Sequence, residues 1–274
     1  MTLLILALIL ATSARLSEAG AWIVPKGTNS FKVGFMFQDT TERYFIDGSR
    51  IPYFFDGRNR TRALFFEYIR GLTDRWDVKV QFPLFSISFD DFAADRTTNG
   101  PGDLRVESRY NLVRDPLVLT VGGTIKLPTG EFINDAEIVP VGEGQYDFDL
   151  FAEVGRSLWP VPGYVTGKIG YRWRTKNKET NIDFGDELIW HAEFGYQFGA
   201  RINTKLLLRG LYGFESRSFD LSIESLRREA VYLEPGVSFA FTPTQNVEVT
   251  VPISLRGRNW PAGPVLNINF TQTF

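Results

Sequence analysis

The sequence predicts an all-β protein, a closed antiparallel transmembrane β-barrel of about twelve strands in one domain. Three features predict it: segments of about ten residues with a period of two, links that alternate long and short, and a final amphipathic segment that ends on an aromatic residue.

The chain opens with an apolar run, Leu3 to Ala11. A helix needs about 20 residues to cross a bilayer, so this run is too short to span and reads as the core of a signal peptide. Ala19-Gly20-Ala21 supplies small residues for cleavage, which sets a signal peptide over 1–21 and a barrel domain over 22–274, beginning at Trp22. Met1-Thr2 stands where a basic stretch is usual.

From Phe31 onward the period is two. The clearest segment is Asn246 to Arg256, where Val247, Val249, Val251, Ile253 and Leu255 alternate with Glu248, Thr250, Pro252, Ser254 and Arg256. Asp186 to Phe198 repeats the pattern, and further segments begin at Phe31, Thr61, Trp76, Asp103, Leu117, Tyr146, Gly163, Ile202 and Val231. Pro235 and Pro252 lie inside segments whose ladder needs every N–H, so a bulge or a widened pairing is expected there.

The links sort by length. Those after Thr40, Phe89, Pro128, Thr175 and Glu215 are long, that from Arg156 to Pro162 is moderate, and those after Gly71, Val113, Gly199 and Thr242 are short. Short turns on one side and longer loops on the other are the habit of outer-membrane barrels, and a soluble sandwich has no reason to show it. Tyr and Trp fall at both strand ends, with Trp76, Tyr68, Tyr110, Trp159, Tyr164 and Tyr196 by short turns and Tyr146, Trp173 and Tyr212 by long loops.

In the last segment, Leu266, Ile268, Phe270 and Phe274 share one parity and Asn267, Asn269, Thr271 and Thr273 the other, with Gln272 as the exception. Such an ending resembles the assembly signal of bacterial outer-membrane barrels, carried here by Phe270 and Phe274, and implies the barrel-assembly machinery as a partner. The strand must pair with the first to remove both sheet edges.

Composition agrees. Charged residues are 23% of 274 and the net charge is −2, which excludes a nucleic-acid binder. Aromatic residues reach 15%, and the absence of Cys removes thiol catalysis and thiolate metal sites. No cofactor or metal site is expected.

Charged residues oppose the apolar face of their strands: Lys32, Arg105, Glu107, Arg109, Lys126, Asp147, Asp149, Glu153, Lys168, Arg172, Arg174, Glu187, Glu193, Lys205, Arg209, Glu234, Glu248 and Arg256. Arg or Lys facing lipid at the midplane costs about 2–4 kcal/mol, so this set, together with His191, is expected to line the lumen. There it either pairs with itself and fills a narrow interior or forms a polar path for a solute. Arg172 and Arg174 are expected to face Glu187 and Glu193 across strands.

His191 is the only histidine and shares parity with Glu187 and Glu193. No GxSxG and no metal-ligand spacing accompanies it, so catalysis is not expected, although a lipid-modifying barrel is the enzymatic alternative. The long first loop carries Tyr44, Phe45, Tyr53, Phe54 and Phe55, which either pack over the mouth or hold an apolar ligand.

Several stretches together resemble one family, the outer-membrane proteins assigned to the phenol meta-degradation pathway (MetA type). They are Gly20-Ala21-Trp22 with Pro25-Lys26-Gly27, Gly102-Asp103-Leu104, Lys126-Leu127-Pro128-Thr129-Gly130, Gly142-Glu143-Gly144-Gln145-Tyr146-Asp147, and Gly170-Tyr171-Arg172. The resemblance implies a barrel among outer-membrane lipid that takes up aromatic or other apolar small-molecule solutes. Passive flow through a mixed-charge lumen is the expected mode, with a structural or adhesive barrel as the alternative.

Overall fold

The computed structural model describes residues 20–133, 139–218, 221–223 and 226–274. The expected signal peptide lies outside the described residues except for Gly20 and Ala21. Twelve antiparallel strands close into a barrel. They are β1 (Asn29–Thr40), β2 (Arg58–Thr73), β3 (Trp76–Asp90), β4 (Leu104–Val113), β5 (Val118–Leu127) and β6 (Asp147–Ser157), followed by β7 (Gly163–Arg174), β8 (Glu187–Phe198), β9 (Ile202–Gly213) and β10 (Glu229–Thr242). β11 comes in two pieces, Gln245–Thr250 and Ile253–Arg258, and β12 is Val265–Thr273.

Each strand pairs with its sequence neighbours, and β12 returns to β1 in a continuous register from Ser30 opposite Thr273 to Gln38 opposite Val265. Asn29 and Phe274 then exchange backbone hydrogen bonds of 2.8 and 2.9 Å. Closure leaves no sheet edge, the condition for a β-structure in lipid. The apolar parity of the strands points outward and is exposed, as at Phe35, Leu150, Ile169, Phe194, Val237 and Ile268. Gln272, the exception in the last strand, receives a hydrogen bond from the Gln245 side chain at 2.8 Å.

Prolines mark the irregularities. At Val251-Pro252 β11 is interrupted, and the ladder to β10 resumes with a register shift between Val231 and Tyr232. Pro83 stands where β3 changes partner: up to Gln81 it pairs with β4, and from Leu84 it pairs with a short extra strand, Asp95–Pro101. A residue without an N–H is tolerated there because no single ladder needs it.

On the long-loop side, Glu42–Tyr44 joins Arg50–Pro52 and Trp260–Pro261 in a small sheet. A 3-10 turn, Phe54–Asp56, follows Arg50–Pro52. On the short-turn side, residues 20–28 turn into the barrel. Gly155 faces this segment, and a Cβ there would sit 2.8 Å from the Trp22 ring and 2.9 Å from the Ala21 side chain.

Candidate functional site

The interior divides into two walls. On the wall formed by β3 to β8, charges are packed against one another. At the short-turn end, Arg109 of β4 donates Nε and Nη2 to Asp77 of β3 at 3.0 and 2.6 Å, and its remaining nitrogen donates to the Gly20 carbonyl at 3.0 Å. The Val24 amide donates to the same Asp77 carboxylate at 3.0 Å, and Thr120 donates to the Ala21 carbonyl. Trp22 meets Tyr164 edge-on at 5.7 Å between centroids. Tyr164 therefore faces inward and is not part of an outer girdle.

Midway, Lys79 pairs with Glu107 at 2.8 Å, while Lys168 pairs with Glu153 at 3.2 Å and lies 3.4 Å from the centre of the Phe151 ring. Arg105 is half-buried and forms no ion pair among the described residues. Lys32 pairs with Glu67 at 2.8 Å.

At the long-loop end the network tightens. Lys126, with 1% of its side chain exposed, lies among Asp147 at 2.9 Å, Asp103 at 3.4 Å and Glu143. Arg172 bonds Asp149 at 2.7 Å and Glu187 at 3.0 Å, and Arg174 reaches Glu187 at 3.4 Å and Glu143 at 3.2 Å. Arg228, from the loop before β10, adds contacts of 2.6 Å to Glu187 and 3.0 Å to Glu143. Burial by itself would raise the Glu143 carboxyl, but Arg228, Lys126 and Arg174 hold it well below the usual carboxylate range. Asp103 anchors its loop by accepting from the Gly130 and Glu143 amides at 3.1 and 3.0 Å.

The second wall, from β8 through β12 to β1, is looser. Lys205 pairs with Glu248 at 3.0 Å, and Arg209 gives Nε to Glu234 at 3.0 Å with 44% of its side chain exposed. Glu193 accepts from the Tyr164 hydroxyl at 2.6 Å. This corrects one expectation: Glu193 stands opposite Thr166, not Arg172 or Arg174, which share Glu187. His191 lies in register between Lys168 and Arg209. A cavity of about 140 Å³ opens along this wall, with Lys32, Tyr164, Glu193, Lys205, Glu248 and Asn269 among its lining.

Arg256 is a second correction. The register shift at Val231/Tyr232 sets it opposite Val231, on the outward parity of β10, so it is 73% exposed and reaches Glu229 at 3.7 Å. A bulge reverses the direction that simple alternation assigns.

The loop aromatics separate. Tyr44 is buried, donating to the Ser254 carbonyl at 3.1 Å, and Tyr53 packs edge-on against Phe89 at 5.3 Å. Phe45 meets Phe54 at 6.0 Å. Phe54 and Phe55 remain exposed, and Phe55 pairs with Phe92 of the next loop at 4.8 Å.

Sequence reasoning did not single out Glu67, Asp77, Lys79, Asp103, Glu143 or Arg228 as interior residues. The first three obey the same parity as their neighbours and could have been found by it. The others lie outside the strands. Among the described residues no group of three His, Asp or Glu side chains could hold a metal ion.

A family model described as "Putative MetA-pathway of phenol degradation" matches residues 47–270. Among solved structures, the chain is similar to the COG4313 outer membrane channel from Pseudomonas putida F1, with 19% identity, 92% of this chain and 97% of that chain covered, and a TM-score of 0.79. It is also similar to the NanC porin, with 9% identity, 88% and 98% covered and a TM-score of 0.54, and to the KdgM porin, with 8% identity, 89% and 99% covered and a TM-score of 0.51. No curated protein matches the sequence.

Proposed function

The chain belongs to the family described as MetA-pathway of phenol degradation, and from that premise we propose that it is an outer-membrane channel for passive uptake of small aromatic or otherwise apolar solutes. The observation that carries this reading is the division of the interior. One wall is closed by ion pairs and by residues 20–24, while the other keeps a polar cavity of about 140 Å³. Twelve strands lie between the barrels of about eight that side chains fill and the porins of about sixteen that leave a wide channel, so the remaining passage is narrow.

The long loops face outward from the cell and the short turns face the periplasm. Phe54, Phe55 and Phe92 present apolar surface at the outer end, where an apolar solute would first be held. The outward residues of the strands contact lipid, and residues 1–21 act as an export signal that is removed.

Purified protein in planar bilayers should show small, stable conductance steps, and liposomes containing it should admit small aromatic solutes faster than sugars. Absence of both conductance and uptake would leave a structural barrel as the surviving reading.

A further inference from the structure

The looser wall carries cations interleaved with aromatic rings. Arg228 places its guanidinium 5.7 Å from the centre of the Trp260 ring. The Trp260 indole N–H donates to the Tyr232 hydroxyl, and Arg209 lies 5.0 Å over the Tyr232 ring. Arg209 is followed on the inward face of β9 by Leu207 and then by Lys205, roughly 13 Å further along at about 3.3 Å per residue. Lys205 lines the cavity at the short-turn end. Arg228, Arg209 and Lys205 thus lead from the packed network at the long loops down the looser wall towards the short turns.

Three features of this wall bear on what could move along it. Arg209 uses only Nε on Glu234, so its two terminal nitrogens have no protein partner among the described residues and keep the fork geometry that matches a carboxylate. The half-buried Trp260 ring offers a flat surface beside Arg228, which favours an aromatic body, while the buried Tyr232 ring backs Arg209. Each cation is also held by an acid: Arg228 shares Glu187 and Glu143 with the packed network, Arg209 has Glu234 and Lys205 has Glu248. A wall so balanced attracts a monoanion weakly, and passage requires binding that is weak enough to release.

We propose that this wall is a track for small aromatic carboxylates, which step from Arg228 and Trp260 to Arg209, backed by Tyr232, and then to Lys205. The proposal rests on the channel reading and names the solute class for it.

The test uses the full barrel in planar bilayers, with benzoate as the probe. Acetate supplies the same charge without the ring, and benzylammonium supplies the ring with the opposite charge. Benzoate should reduce the single-channel current at concentrations at least tenfold lower than either control. R209Q with K205Q should abolish that difference while open-channel conductance persists, and R256Q, exposed at the rim, should leave it unchanged. Heat-modifiable migration checks that each variant is folded; if R209Q with K205Q fails to fold, the wild-type comparison of benzoate with acetate decides. Equal effects of benzoate and acetate, or an unchanged benzoate effect in the folded double variant, would overturn the track and leave the channel. A wild-type barrel that conducts nothing would overturn both.

Discussion

Arg109 and Arg209 are the same residue type on the same inward parity, yet their surroundings differ completely. Arg109 is 9% exposed, bonded twice to Asp77, near Glu107 and Glu153, and capped by the Gly20 carbonyl. Arg209 has 44% of its side chain exposed and one carboxylate partner. Strand alternation fixes the direction of a side chain, but what it does there depends on what segments outside the strands bring to it. Residues 20–24 and the loop bearing Glu143 come to the β3–β8 wall, and among the described residues no such segment covers Arg209.

The sharpest way to break this contrast is to remove both arginines in parallel. Arg109→Met strands Asp77 as a buried carboxylate, which should cost about 3–5 kcal/mol and lower the heat-modification temperature steeply. Arg209→Gln should stay within about 1 kcal/mol and change only conductance. Equal losses in the two variants would mean that the walls do not differ.

Next in size is the Arg172→Ala, Arg174→Ala double variant. The structure places both arginines around Glu187, none of which is exposed, so the expected result is less folded barrel, read on an unheated gel, rather than a larger conductance.

Glu143 gives a pH test of the same wall. Its carboxyl is held below the usual range in the folded protein, so the stability it contributes is fully present above about pH 4.3, the unfolded value. That contribution is lost only as pH falls through the lower folded value. Proteolysis of the 128–146 loop should therefore be unchanged between pH 7 and about pH 5, whereas Glu143→Gln should be cut faster throughout this window. The smallest effect belongs to Arg256→Gln, expected within about 0.5 kcal/mol of the parent in a melting experiment and without effect on conductance.

Much of the wall was legible in the sequence because period two is a local property. Val247, Val249 and Glu248 declare their faces without reference to anything distant, and so do Lys168, Glu187 and Lys205. Arg256 misleads because the bulge next to it depends on Pro252 and on pairing with β10, neither visible in the alternation itself. Glu143 and Arg228 stand in loops, where no period assigns a direction, and their meeting at Glu187 joins segments far apart in the chain. The docking of Trp22 and Val24 onto Tyr164 and Asp77 is of the same kind. Asp77 was within reach, since it alternates with Lys79 and Gln81 on β3.

The bonds between Asn29 and Phe274 also set an order in time. Every other pairing between barrel strands joins neighbours in the chain and can form as soon as a hairpin is available, on a scale of microseconds for an isolated hairpin. The β1–β12 seam has to wait for the whole chain, and its loop-closure entropy is the largest in the molecule. Until it forms, β1 and β12 each present an unpaired row of amides and carbonyls that any other strand could occupy. The seam is therefore the step at which this barrel is most exposed to pairing with the wrong partner, and a variant weakened there should accumulate as an unclosed sheet before any other defect appears.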